Sequence, residues 1–202
     1  MSEPNRYEHA PRLPEGSLDP GALVGGPGQP VELEVGPGRG AFAFERLAAV
    51  PSARLIGFEI KRKWATIVDE RLSQRGLGAR GRVFFEDARI ALPRFPENSV
   101  SIAYFHFPDP WWKKRHKKRL VLTPALLEEL ARVIVSRGEL FVQTDVEERA
   151  FEYESMIGQH AEFRAAEREA RVLQNPYQAM SPRERRAVQD GLPIFRLRYA
   201  RV

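Results

Sequence analysis

The 202-residue sequence contains no cysteine and only four histidines, His9, His106, His116 and His160, which stand far apart. Lack of cysteine excludes disulfides, thiolate metal sites and cysteine nucleophiles, and no histidine pair has a spacing that suggests a metal ion. No apolar run approaches the roughly 18 residues that cross a bilayer. The opening MSEPNRYEHAPRLPEGS carries no apolar core of the kind a secretory signal needs, so a cytoplasmic protein without membrane or metal partners is the expectation. With 43% hydrophobic and 29% charged residues, the chain can bury an ordinary core and is of single-domain size.

The charge is unevenly spread. Lys and Arg total 32 and Asp and Glu 27, a net +5, and six cations (Lys113, Lys114, Arg115, Lys117, Lys118 and Arg119) fall in one seven-residue stretch. They outweigh the surplus of the whole chain, leaving the remainder close to neutral. A basic excess confined to one place points to a polyanion held there rather than to general adhesion. The plain alternative is a solvated loop.

Residues 1–30 hold much of the Pro and Gly (APRLPEG, DPGALVGGPGQP) and read as an irregular arm, with residues 31–202 forming the domain. Short apolar runs then alternate with helical stretches: VELEV, AFAFERLAAV; RLIGFEI, KRKWATIVDERLSQRG; RVFFED; SVSIAYF; TPALLEELARVIVSRG; ELFVQTD, VEERAFEYESMIG; and finally LPIFRLRYARV. Strand-length runs rich in Val, Ile and Phe, separated by helices, predict an α/β fold: a doubly wound, mostly parallel, Rossmann-like sheet. The last strand is expected to be antiparallel. Thr123-Pro124 predicts a helix start, and Gly138 the residue just past that helix's end.

In such a sheet the first strand-to-helix turn is the usual ligand site. Here it reads Glu34-Val35-Gly36-Pro37-Gly38-Arg39-Gly40, and a second strand ends in Glu59, 19 residues beyond Gly40, where a carboxylate can accept both hydroxyls of a ribose. A dinucleotide fold prefers G-x-G-x-x-G, with a helix N-terminus on the pyrophosphate. This loop is G-x-G-x-G behind a carboxylate, which repels a pyrophosphate and suits a ligand carrying a sulfonium and an ammonium. The third strand ends in Glu86-Asp87, where an adenine amino group can donate to Asp87. The set fits S-adenosylmethionine better than NAD. The plain reading of Glu59 and Asp87 is a helix cap or a solvated acid.

After SVSIAYF comes His106-Phe107-Pro108-Asp109-Pro110-Trp111-Trp112 and then the basic run. Two prolines hold Asp109 in a stiff loop at a strand's carboxyl end. The segment FPDPWWKKRHKKR resembles the hallmark of the bacterial tRNA (guanine-N7)-methyltransferases, and the resemblance covers about residues 31–202. It implies methyl-donor contacts at Glu34, Glu59, Asp87 and Asp109, beside the Gly36 and Gly38 loop. Asp109 is the implied catalytic residue. Guanine or tRNA contacts are implied at Lys113 and Asp145, and at Ser181 and Glu184 of Ser181-Pro182-Arg183-Glu184, where the family has Thr-x-x-Glu. The family usually has Asn in place of His106, and Pro or another residue in place of Trp112. Asp145 has a second reading, as N-cap of the following helix.

Methylation at guanine N7 uses an in-plane lone pair and removes no proton, so the site needs alignment and negative potential rather than a general base. Two other classes stand beside this reading. A methyltransferase for a small molecule or a protein leaves the clustered cations without purpose, and a non-catalytic RNA-binding relative leaves the acid set unexplained.

Overall fold

Parallel strands covered on both faces read as nearly continuous apolar runs, and the computed structural model, which describes residues 7–108 and 120–202, builds its sheet from those runs. Five parallel strands, β1 (Val31–Val35), β2 (Leu55–Phe58), β3 (Gly81–Phe84), β4 (Val100–His106) and β5 (Ile134–Thr144), lie in the order β3-β2-β1-β4-β5. A three-residue strand, β6 (Phe163–Ala165), forms the far edge. Between it and β5 lies β7 (Phe195–Arg201), antiparallel to both, as expected for the last strand. The connecting helices are α1 (Ala41–Ala49), α2 (Arg62–Gln74), α3 (Ala88–Ala91), α4 (Pro124–Val133), α5 (Glu147–Gly158) and α6 (Pro182–Gln189).

Alternation along each strand divides the core in two. Val31, Leu33 and Val35 of β1, Ala103 and Phe105 of β4, and Leu140 and Val142 of β5 pack with Leu126, Leu127 and Leu130 of α4 and Tyr153 and Ile157 of α5. On the opposite face Leu55, Val83, Tyr104 and Phe141 meet Phe42, Phe44 and Leu47 of α1 and Val68 and Leu72 of α2. Three side chains of the Pro/Gly-rich lead-in, Leu13, Leu18 and Val24, are buried in the first layer. The Phe85 amide donates to the Pro11 carbonyl at 2.7 Å, fixing that segment against the end of β3.

All five residues of β1 are buried although two are glutamates. Glu32 is matched inside the fold: Arg46 donates to it through Nε and Nη2, each at 2.8 Å, and the Tyr104 hydroxyl at 2.9 Å. A buried charge is tolerated when it is paired and hydrogen-bonded.

One expected boundary is corrected. Thr123 does cap α4, its hydroxyl accepting from the Leu126 amide at 3.2 Å, but the helix ends at Val133 and residues 134–138 belong to β5. The β-branched run Val133-Ile134-Val135 favours extended backbone. The pairing of Val100 with Ile134 and of Ile102 with Glu139 leaves an outward bulge, in which Arg137 takes φ 64°. Gly138 therefore serves the bulge rather than a helix end: a Cβ there would lie 2.7 Å from both the Ser101 carbonyl oxygen and Ile134 Cγ2. Gly138→Ala should destabilise the protein by about 1–3 kcal/mol through overpacking. Urea unfolding would show this as a lower midpoint at unchanged slope, and an unchanged midpoint would remove the bulge from the list of constraints.

Candidate active site at the carboxyl edge of the sheet

The strand order reverses between β1 and β4, and at such a switch the connections leave in opposite directions and open a crevice at the carboxyl ends. The loop after β1 borders it. Gly36, Gly38 and Gly40 have φ of 76°, 55° and 76°, the left-handed region that glycine enters without steric cost. A Cβ at Gly40 would strike Val68 Cγ1 at 2.4 Å, so that glycine lets α1 close on α2. At Gly36 and Gly38 a Cβ would meet nothing within 4 Å; these two leave open space over the loop.

Three expected acids stand at the ends of three neighbouring strands, β1, β2 and β3. Glu34 is 2% exposed, and its Oε2 has no hydrogen-bond partner among the described residues. Burial, reinforced by nearby Glu59, pushes its carboxyl up to about 8. Glu59 follows β2, its Oε2 accepting from the Gly38 amide at 3.0 Å and its Oε1 from the Lys61 amide at 2.8 Å. It thereby ties the glycine loop to β2 and still has lone pairs for a ligand. Asp87 follows β3 and caps α3 by accepting from the Arg89 amide at 2.9 Å. The Arg89 guanidinium, at 2.5 Å, holds that carboxyl below its usual range.

The other side of the switch is a buried polar chain. Glu184, fully buried in α6, accepts from Arg196 Nη2 at 3.0 Å, Asn175 Nδ2 at 2.9 Å and Gln143 Nε2 at 3.0 Å. Gln143 Nε2 also lies 2.8 Å from His106 Nδ1. His106 is packed against Phe42, with ring centroids 4.1 Å apart, and is stacked with Tyr104. Burial pushes its imidazole down to about 3, so it is neutral at physiological pH. Ser181 caps α6 by accepting from the Glu184 amide at 3.2 Å. Asp145 is not the cap of α5, whose N-cap is Val146 without a side-chain bond; Arg183 holds it instead at 2.5 Å. Phe107 leaves β4 at φ 50°, with its amide bound to the Gln143 carbonyl at 2.7 Å. A left-handed non-glycine residue costs about 1–2 kcal/mol, here at the bend leading into Pro108-Asp109. Asp109, Lys113, the two tryptophans and the basic run lie outside the described residues.

Sequence reading thus located the acids but missed the chain that runs from Arg196 and Asn175 to His106. Its one advance signal was that His106 and Gln143 are polar at the ends of otherwise apolar strands.

Residues 28–197 match the family described as "Putative methyltransferase". The tRNA (guanine-N(7)-)-methyltransferase of Myxococcus xanthus is 34% identical over 84% of this chain and 82% of its own length. That of Parasynechococcus marenigrum is 33% identical over 94% and 83% respectively. The chain belongs to the tRNA (guanine-N7)-methyltransferase family. Among solved structures, a SAM-dependent methyltransferase from Aquifex aeolicus superposes with a TM-score of 0.56 at 18% identity, over 85% of this chain and 82% of that one, a likeness of fold.

In this methyltransferase the raised Glu34 carboxyl has a consequence for stability. Between about 4.5 and 8 the folded chain binds a proton at Glu34 that the unfolded chain lacks, so this contribution is complete below pH 4.5 and lost as pH rises through 8. Glu34→Gln, neutral at every pH, should melt progressively higher than the wild type between pH 6 and 9 and close to it at pH 4.5. A difference in melting temperature that does not vary with pH would show that Glu34 does not titrate in this window.

Proposed function

We propose that the protein transfers the methyl group of S-adenosylmethionine to N7 of a guanine in tRNA, in the variable loop, and that it does so in the cytoplasm with residues 31–202 as the methyltransferase domain. The observation that carries this reading is the buried, unsatisfied Glu34 oxygen standing in line with Glu59 and Asp87 over an open glycine loop. A carboxylate kept without an internal partner suits a cationic ligand, and the names of the relatives supply the acceptor.

S-adenosylmethionine supplies a methyl group on a cationic sulfur. In the proposed site Glu34 receives its ammonium, Glu59 its ribose hydroxyls and Asp87 its adenine amino group, with Gly36 and Gly38 giving the backbone close approach. This order, β1, β2, β3, would leave the ends of β4 and β5 free for the acceptor. The guanine N7 lone pair forms the new N–C bond as the S–C bond breaks, and the positive charge passes from sulfur to the purine ring. No proton moves. Asp109, between the two prolines that follow β4 in the sequence, holds the base and offsets that charge, and Asp145, Ser181 and Glu184 contribute to the acceptor site. Lys113 works beside the pocket, and the later cations hold phosphates.

The deciding experiment is transfer of labelled methyl from S-adenosylmethionine to unmodified tRNA, followed by nuclease digestion and identification of the methylated nucleoside. N7-methylguanosine is expected; another methylated base, or label in protein alone, would replace this reading. Asp109→Ala should keep donor affinity within about tenfold while removing most of the transfer; loss of donor affinity with turnover intact at saturation would reassign that residue. Replacing Lys117, Lys118 and Arg119 with Ala should weaken tRNA binding and flatten its log-log salt dependence by about two to three units if all three meet phosphates. An unchanged slope would leave the basic run a solvated loop.

A further inference from the structure

The polar chain at the ends of β4 and β5 fixes more than structure. The Glu184 carboxylate, paired with Arg196, can only accept, so the Gln143 group 3.0 Å from it must be the amide NH2. The same nitrogen lies 2.8 Å from His106 Nδ1. Its second hydrogen is therefore donated to Nδ1, which makes Nδ1 the acceptor and leaves the imidazole proton on Nε2. His106 Nε2–H has no partner among the described residues. A buried donor without an acceptor costs stability in the free protein and is retained without penalty where a ligand satisfies it.

The position of that donor indicates which ligand. Strand alternation puts Glu34, Tyr104, His106, Phe141 and Gln143 on one face of the sheet, because Glu34 pairs with Tyr104, Tyr104 with Phe141 and His106 with Gln143 across the strands. The proposed donor-binding acids occupy β3, β2 and β1, which leaves the ends of β4 and β5 for the acceptor. His106 stands there at the end of β4, half-buried, its Nε2 shielded in the free protein, and a base that packs against the ring can meet Nε2–H while Nδ1 keeps its bond to Gln143.

We propose that His106 is a specificity-determining residue for the target base, its Nε2–H donating to guanine O6 while Gln143, anchored on Glu184, holds the tautomer that makes it a donor. This rests on the methyl-transfer reading above. O6 adjoins N7, so the contact orients the Hoogsteen edge and leaves the N7 lone pair free. Adenine carries an amino group in that place, and two facing donors repel. Neutrality matters as well, since an imidazolium would oppose the cationic product ring.

His106→Phe retains an aromatic ring among Phe42, Tyr104 and Phe141 and removes the donor; His106→Asn retains an amide donor. With the full-length chain, tRNA and S-adenosylmethionine, the Phe variant should lose about 10- to 30-fold in kcat/KM, with donor Kd within twofold and a melting temperature equal to or above the wild type, whereas the Asn variant recovers most of the rate. A tRNA carrying 2-aminopurine at the target, which keeps N7 and lacks O6, supplies the second axis. Wild type should prefer guanine over it by at least as large a factor as the Phe variant loses, and the Phe variant should treat the two bases within about threefold. Three results would overturn the proposal while leaving the methyltransferase reading intact: full activity in the Phe variant, undiminished discrimination in it, or a loss that appears in donor Kd instead. Absence of N7-methylguanosine from the wild-type reaction would overturn both, and that reaction is read first.

Discussion

Glu34 occupies the end of an interior strand of a doubly wound sheet, where the backbone on either side is already paired with β2 and β4, and no group among the described residues satisfies its free oxygen. A buried carboxylate in that state takes up a proton or a cation: in the free protein Glu34 holds a proton up to about pH 8, and in the proposed site a cationic ligand would take that proton's place. The glycine loop is drawn toward β2 by Glu59, which accepts its Gly38 amide, and at Gly40 the absence of a Cβ leaves room for Val68 of α2. The same strand shows the contrast. Glu32, two residues earlier on the same face, is fully matched by Arg46 and Tyr104. One glutamate of β1 is matched within the fold, and the other keeps an oxygen without a partner among the described residues.

Beyond β4 the polar groups obey a different rule. Glu184 is buried but saturated, and through Arg196, Asn175 and Gln143 it ties α6, β7, β5 and the segment before α6 into one unit. Saturation makes it poorly suited to gripping a base with its own oxygens and well suited to orienting a neighbour that can. Ser181 contributes in the same way, since its hydroxyl caps the helix that carries Glu184. The departure from Thr to Ser in that motif leaves the cap in place, because both side chains present the same oxygen to the N3 amide.

Much of this edge was legible because its chemistry is local. A strand, a glycine turn and a helix lie consecutively in residues 31–49, and the acids at Glu34, Glu59 and Asp87 each follow an apolar run that marks its own strand. Partnerships across long sequence separations were not legible. Nothing near Glu32 announces Arg46 or Tyr104, and nothing near His106 announces a glutamate 78 positions on. The bulge in β5 was hidden for another reason: the apolar spacing of α4 continues into Ile134 and Val135, and only pairing with β4 decides that those residues are extended. Strand β6 is too short to carry a pattern of its own. Asp145 looked like a cap because it precedes a helix, but Arg183, 38 residues away, competes for its carboxylate and wins.

Charge accounting across the switch bears on how such a site favours transfer rather than mere binding. In the proposed site Glu34 and Glu59 stabilise positive charge on the donor side, and a site with negative potential there alone would hold the sulfonium in place and oppose its discharge. Catalysis requires that stabilisation grow where the charge arrives. On the acceptor side Glu184 is neutralised by Arg196 and Asp145 by Arg183, while His106 is uncharged. None of the three offers a net negative field to a purine that is becoming cationic. In the proposed mechanism that task falls to Asp109, which the sequence places three residues beyond His106 between two prolines. Alignment and discrimination are then separable from charge stabilisation: the neutral imidazole selects and orients the base, and the carboxylate lowers the barrier.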